Sequence, residues 1–391
     1  MKKRKLMFNI QWHITSLCPN RCKHCYIDEK CDDSITYEQF CKAYRKIEAF
    51  EERNSVSITR ITLSGGDPLV NPNVWKILDF LHKKGKELVI LGIPEQLTAE
   101  NVSRLKELGV CNYQISLDGL EETHDMIRGK GSFRRTIEAL NFMTMHQLNH
   151  SVMFTANSLN SAELIPLIEY LDHQSIQTDF AFDFMVGDVS GAENMPSMVD
   201  ADDAKRILIA YYEVSKELTA HRSSVTVREK NGISKVIRAL YEGAINENVQ
   251  NYPFCNGCTN GIYSISILPN GDVYPCRRLP IKIGNIFSDE LDYMIFEHDL
   301  MRRFRDSTNY QYCGDCQYFN MCRGCAAISY AFSGDPFSQY PYCFIKKEAT
   351  CAQKVSCPSL DSIINCEPNL KHNLSKKDYI LRLLKMYNEM K

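Results

Sequence analysis

Within residues 18–25 three cysteines stand at a spacing that can do chemistry: Cys18, three residues, Cys22, two residues, Cys25. A structural zinc ion takes four protein ligands, so this set alone does not close a tetrahedral site. Three thiolates can instead hold three irons of a [4Fe–4S] cube and leave the fourth iron open. An open iron is what a cluster needs if a small molecule is to chelate it. A second concentration of cysteines lies far downstream, as Cys255-x2-Cys258, Cys276, Cys313-x2-Cys316-x5-Cys322-x2-Cys325 and Cys343. Taken by itself, that density fits iron–sulfur ligation or a pair of zinc ribbons.

The elements that must position these residues follow from the apolar patterning. Phe8 to Ile14 reads as a short buried strand, so the first three cysteines lie on a loop at its C-terminal end, where α/β barrels place their chemistry. From residue 8 to about 185, strand-like runs alternate with helical patterns, as repeated β/α units on a parallel sheet require. The helix over 35–52 takes Thr36 as N-cap, and strand 57–63 ends in Ser64-Gly65-Gly66-Asp67-Pro68. Helix 73–84, strand 87–91 and helix 99–108 follow, then a strand over 112–117 running into Asp118-Gly119. A helix opens at 131–133, and strand 151–156, helix 161–173 and strand 178–185 complete six strands. Two glycines at 65 and 66 let backbone approach a ligand closely. The Cys loop, Gly65-Gly66-Asp67 and Ser116 all fall at C-terminal strand ends and so converge on one face.

Beyond a loop over 186–200, helical patterns cover about 201–221 and 230–243. Ile262–Leu268 and Asp272–Pro275 then flank Asn270-Gly271 as a hairpin. The tail from Ser375 to Met390 has helical spacing. The expected domains are a barrel over 1–200, a helical linker over 201–250, a cysteine-rich domain over 251–350 and a tail over 351–391.

Composition narrows the function classes. The chain has 391 residues, 44% hydrophobic and 24% charged, with a net charge of −2, ordinary values for a globular protein and no support for a nucleic-acid binder. No apolar run is long enough for a membrane span, and no signal-peptide core follows the basic Met1–Lys5, so a cytoplasmic location is expected. Seventeen cysteines, an odd number without an export signal, argue for metal ligation rather than disulfides. Cys31, Cys41, Cys111, Cys351, Cys357 and Cys366 fall outside every ligand pattern and read as incidental thiols.

The Cys18/Cys22/Cys25 spacing resembles the signature of the radical S-adenosylmethionine (radical SAM) enzymes. Gly65-Gly66-Asp67-Pro68 is similar to the family's Gly-Gly-Glu-Pro motif, with Asp67 one methylene shorter. The stretch Ser116-Leu117-Asp118-Gly119, His124-Asp125, Arg128-Gly129 matches a further family segment. The resemblance implies an α/β fold, a partial (β/α)6 TIM-like barrel followed by a small cysteine-rich SPASM domain. It implies a SAM-binding cluster on Cys18, Cys22 and Cys25, with SAM itself near His24, Gly65, Gly66, Asp67, Ser116, Arg128 and Met185. In that family the Gly-Gly turn binds the methionine amino group, residues matching Ser116 and Arg128 meet the carboxylate or ribose, and Met185 and Gly187 lie near the adenine.

The later cysteines resemble the SPASM pattern, with two rather than three residues between Cys322 and Cys325. By that resemblance Cys255, Cys258, Cys276 and Cys325 hold one auxiliary [4Fe–4S] cluster and Cys313, Cys316, Cys322 and Cys343 a second, giving three clusters in all. The activity implied is formation of a 5′-deoxyadenosyl radical and oxidative modification of a ribosomally made peptide, through a C–C or thioether cross-link or a similar change. The partners implied are a precursor peptide and a low-potential reductant such as flavodoxin or ferredoxin. Because no domain precedes the first strand, a separate small leader-binding protein is expected as well. The alternatives are a sulfatase-type formylglycine maturase, a small-molecule or tetrapyrrole decarboxylase of similar design, and an iron–sulfur or zinc scaffold without catalysis. Arg277 speaks against the formylglycine maturases, which carry an aspartate base at that position. Asp183, Asp188 and Glu193 lie near the expected mouth, and none is assigned as a catalytic base.

Overall fold

The computed structural model describes residues 4–27, 33–54, 56–187, 197–242, 257–262 and 264–345. Cys31, Asp188, Glu193, Cys255, Cys351, Cys357, Cys366 and the expected tail helix lie outside the described residues. Seven strands lie side by side in chain order, all parallel: β1 (Arg4–Thr15), β2 (Val56–Gly65), β3 (Glu87–Leu91), β4 (Val110–Ser116), β5 (His150–Ala156), β6 (Thr178–Phe184) and β7 (Val225–Val227). Helices α1 (Tyr37–Arg53), α2 (Val74–Lys83) and α3 (Ala99–Glu107) link the first four strands. A pair, α4 (Glu121–Arg128) and α5 (Ser132–Met145), links β4 to β5. α6 (Leu164–His173) and α7 (Ala201–Ala220) then lead to β6 and β7. Thr36 caps α1 through a full capping box with Gln39.

The barrel has one parallel strand more than the six read from the patterning. β7 lies inside the segment read as a helical linker and pairs with β6 through Thr178–Phe180. After α8 (Gly232–Tyr241), the hairpin β8 (Ser264–Ile267) and β9 (Asp272–Tyr274) closes at Gly271, whose φ of 87° suits glycine. β8 does not stand apart. It pairs in parallel with β1 from Asn9 to Trp12, and β9 carries the sheet on to β10 (Gly284–Asn285). One ten-stranded sheet, with β8–β10 beyond β1 and β7 at the other end, therefore joins the barrel to the cysteine-rich half. α9 (Asp299–Arg305) and α10 (Ala326–Ser333) complete that half.

Alternation along each strand separates two faces. Phe8, Ile10, Trp12, Ile14, Ile61, Leu63, Leu88, Ile90, Tyr113, Ile115, Phe180, Phe182 and Phe184 are buried in the core. Most of the intervening residues on the other face are polar, Val89, Met153 and Ala181 being among the exceptions, and several bond across strands: Thr62 Oγ1 donates to Asn9 Oδ1 at 3.1 Å, Gln11 Nε2 to Ser64 Oγ at 3.1 Å and Asn112 Nδ2 to Ser151 Oγ at 2.9 Å. A parallel sheet covered on both sides would be apolar on both faces. This one keeps its inner face largely polar, as a face that meets a ligand and water would be.

Candidate active site at the barrel mouth

The Gly-Gly turn at the end of β2 is built against the segment that leads into Cys18. Gly66 N–H donates to Thr15 O at 2.9 Å and Asp67 N–H to Leu17 O at 2.7 Å. A Cβ on Gly65 would fall on the Thr15 carbonyl oxygen, and one on Gly66 on that of Leu17. The two glycines thus permit a close approach to the chain's own cysteine loop.

Asp67 caps the turn that follows, accepting from Leu69 N–H through Oδ1 at 3.3 Å. It is fully buried, and its Oδ2 has no hydrogen-bond partner. Burial raises its pKa to about 7, the Leu69 N–H opposes that, and the nearby Glu95 adds to it. A buried carboxylate oxygen without a donor fits the ammonium group of SAM, which the resemblance places here.

The second support for the loop is Asp118, just beyond β4 and completely buried. Its backbone N–H donates to His124 Nδ1 at 2.9 Å, and its Oδ1 accepts from Thr155 N–H at 2.7 Å. Its Oδ2 takes Arg128 Nε in a short ion pair and lies 3.4 Å from His24 Nε2. Burial alone would raise the Asp118 pKa, but Arg128, then His24 and His124, hold it below the usual carboxylate range. Arg128 in turn reaches Cys22 Sγ with Nη1 at 3.6 Å and His24 Nε2 with Nη2 at 3.4 Å. Ile127 O accepts from Lys23 N–H at 2.9 Å. Arg128 therefore spans Asp118 and the cysteine loop, three engagements that the patterning alone does not reveal. His24 is driven down to about 4, first by burial, so its ring is neutral at neutral pH, and its Nδ1 is buried without a partner. Ser116 is half-buried at the end of β4, in register with Met153 of β5. Met185 is buried beyond β6, its N–H bonded to Ala156 O at 2.8 Å.

Across the mouth, β9 delivers Cys276, Arg277 and Arg278. Arg277 lies over the Tyr26 ring, 4.6 Å from its centroid, and Tyr26 Oη is 3.5 Å from His13 Nε2. Desolvation raises the Tyr26 pKa; Arg277 opposes this, while Cys25 and Cys276 both add to it. Tyr26 thus feels one thiol of the first loop and one of the later cysteines. Arg278 pairs with Asp183 Oδ2 at 2.6 Å and donates to Phe184 O at 2.9 Å.

The later cysteines assemble in two groups. Desolvation holds Cys322 well above the usual thiol range, opposed by the Gly324 N–H and reinforced by Cys343, Cys313 and Cys316. Desolvation likewise pushes Cys325 up to about 12, with Arg278 lowering it and Asp183 and Cys258 raising it. Arg278 also senses both Cys325 and Cys276. Cys313, Cys316 and Cys343 are therefore near Cys322, Cys258 is near Cys325, and Cys276 is joined to Cys325 through Arg278. Thiols raised this far stay protonated at neutral pH until a metal draws out the thiolate. Among the described residues no three His, Cys, Asp or Glu side chains are close enough to share a single metal ion. All-thiol donor sets of this kind suit an iron–sulfur cube, which spreads its ligands over several irons.

The two-residue spacer between Cys322 and Cys325 has a structural account. Arg323 and Gly324 both take positive φ, 58° and 64°, which turns the chain sharply. The Arg323 guanidinium is buried and donates to Cys258 O at 2.7 Å, Asn260 O at 3.2 Å and Tyr310 Oη at 2.8 Å, and to Phe304 O. Tyr26 and the Arg277–Arg278 pair stand next to expected ligands and could be suspected from position alone. Lys230, just beyond β7, has no local signal.

A model of the radical SAM superfamily matches residues 12–171, and one of the SPASM iron–sulfur cluster-binding domain matches 255–317. The chain is 28% identical over 343 residues to an AdoMet-dependent heme synthase of Methanosarcina barkeri, covering 86% of this chain and 96% of that one. It is 24% identical over 343 residues to a mycofactocin maturase of Mycolicibacterium smegmatis, covering 84% and 80%. In fold it is similar to anSMEcpe with bound AdoMet, at a TM-score of 0.67 and 15% identity over 98% of this chain and 99% of that one. The two family matches follow each other along one continuous sheet, and the chain carries a radical SAM domain in its barrel with a SPASM iron–sulfur domain after it.

Proposed function

We propose that this enzyme oxidises a substrate held in the polar barrel, with Cys18, Cys22 and Cys25 to hold a SAM-binding cluster and the later cysteines to hold two auxiliary clusters, which would supply an acceptor for the electron the substrate gives up. The first auxiliary cluster takes Cys258, Cys276 and Cys325, with Cys255 as its fourth thiolate. The second takes Cys313, Cys316, Cys322 and Cys343. When bound, SAM and its cluster supply one-electron chemistry that ends in removal of a hydrogen atom from an unactivated carbon. The protein's part is to orient and to exclude water. Asp67 accepts the SAM ammonium, Ser116 and Met185 line the same end of the barrel, and Arg128 with Asp118 fixes the loop and His24. The observation that carries the oxidative reading is Tyr26, which senses Cys25 and Cys276 together. Cys276 lies at the same mouth as the first loop, so an auxiliary cluster held there would supply an electron acceptor near the substrate.

The substrate we favour is a ribosomally made peptide, supported by the similarity to a mycofactocin maturase over most of the chain. A small molecule is the second reading, favoured by the similarity to a heme synthase that extends over 96% of that protein. The test is turnover by the anaerobically reconstituted enzyme with SAM, a low-potential reductant and candidate peptides. A product mass lower by two hydrogens, formed in step with 5′-deoxyadenosine, supports the peptide reading. Peptides returned unchanged, while a small molecule is consumed with deoxyadenosine release, would replace it with the second.

A further inference from the structure

Three cations meet at the barrel mouth, and among the described residues only one of them has a carboxylate. Arg278 is committed to Asp183 and the Phe184 carbonyl. Arg277 lies over the Tyr26 ring, 4.6 Å from its centroid, and among the described residues no carboxylate is within ion-pair distance of it. Lys230 follows β7 and reaches back to β5, where its Nζ lies 3.9 Å from Met153 Sδ, a weak acceptor. It too has no carboxylate partner among the described residues. Protein surrounds Lys230 closely enough for burial, Arg277 and Arg278 to lower its pKa, with Asp183 opposing. Yet its side chain is open to solvent. Lys230 therefore faces open space at the mouth rather than a packed core.

The location is specific. Met153 is in register with Ser116 at the end of the barrel expected to hold SAM. Arg277 follows Cys276 of the first auxiliary group directly. Lys230 and Arg277 therefore sit between the two sites, close enough for the Arg277 charge to act on Lys230. Two like charges in a confined space are unfavourable until an anion joins them. A guanidinium offers a carboxylate two parallel hydrogen bonds, and an ammonium adds a point charge that adjusts to the ligand.

We propose that Arg277 and Lys230 form a carboxylate-binding subsite that holds the substrate by a carboxylate between the SAM end of the barrel and the first auxiliary cysteine group. This rests on the reading of the barrel mouth as the place where substrate is held. The carboxylate comes from a peptide, through a side chain or the C-terminus, or from a small polycarboxylate.

The test measures binding to the reconstituted holoenzyme with SAM present. One pair of probes is a propionate-bearing porphyrin and its methyl ester; the other is a short acidic peptide and its fully amidated counterpart. The expected result is that the acid form of at least one pair binds about tenfold or more tighter than its neutral form. In Arg277→Gln and in Lys230→Met that preference should shrink to about threefold or less, while Lys216→Met on the outer face of α7 keeps it. The pair that shows the preference identifies the source. Equal binding of acid and neutral forms, no binding of any probe, or a preference unchanged in both variants would overturn the proposal. Substrate-free 5′-deoxyadenosine release by the wild type, measured alongside, tests the radical SAM reading separately. Cleavage without a carboxylate preference removes only the subsite, and a preference without cleavage removes only the radical reading.

Discussion

At the scale of single residues, Asp67 has the most direct consequence for ligand binding. Its Oδ2 is buried with no donor, and its pKa of about 7 comes mainly from burial. An ionised carboxylate attracts the SAM amino group more strongly than a protonated one does. SAM affinity should therefore be highest above pH 7 and weaken as the pH falls through that value, because binding must first remove the Asp67 proton. Asp67→Asn should weaken SAM binding by about 10- to 100-fold and flatten the pH dependence. Equilibrium dialysis of SAM against reconstituted enzyme from pH 6 to 8.5 checks both, and an unchanged profile in the variant would reject the assignment. The type of residue at 67 was legible from its place in Gly65-Gly66-Asp67-Pro68. Its unpartnered oxygen was not, since that depends on what Glu95 and the turn around Leu69 leave open. Arg128 was legible as a member of a motif, but its engagement by Asp118, His24 and Cys22 belongs to the packing of α4 against the first loop.

At the scale of elements, two short turns decide whether the cysteine sites can form. Gly66→Ala would put a methyl group on the Leu17 carbonyl, and backbone cannot yield there without moving the chain into Cys18. The variant should fold with an unchanged far-UV spectrum yet lose about four irons per chain on reconstitution, the content of one cube. Full iron loading with normal SAM cleavage would contradict this account of the turn. Arg323 performs the corresponding task in the second half, tying Cys258 O, Asn260 O and Phe304 O to the Cys322–Cys325 turn. Arg323→Met leaves those buried acceptors without a donor and should destabilise the protein by about 1.5–3 kcal/mol or more, read by denaturant unfolding. Lysine should restore little of it, because one ammonium cannot reproduce the fork. The alternating strands and helices of the barrel were readable because each is long enough to show its period. β7 was not, since Val225-Thr226-Val227 is three residues and takes its strand form from pairing with β6. The hairpin at Gly271 was readable from its turn, whereas the parallel pairing of β8 with β1 is a tertiary fact with no local sequence mark.

At the scale of the whole molecule, one sheet places two kinds of cysteine site around one mouth. β1 carries the first loop at its end and pairs along its flank with β8, so the strand that positions Cys18 also anchors the domain that delivers Cys276. The inner face between them is polar, and Tyr26 stands against both sides. Composition and cysteine spacing indicated a two-part metal protein. That the parts share a sheet, and so hold a fixed separation, required the structure. The central claim is that this arrangement loads three clusters and cleaves SAM. It is tested most directly by iron and sulfide per chain after anaerobic reconstitution, measured together with 5′-deoxyadenosine release under a strong reductant. The account predicts about twelve irons with deoxyadenosine formed, falling to about eight without cleavage when Cys18, Cys22 and Cys25 are replaced by alanine. Zinc in place of iron, or about four irons and no deoxyadenosine from the wild type, would contradict it.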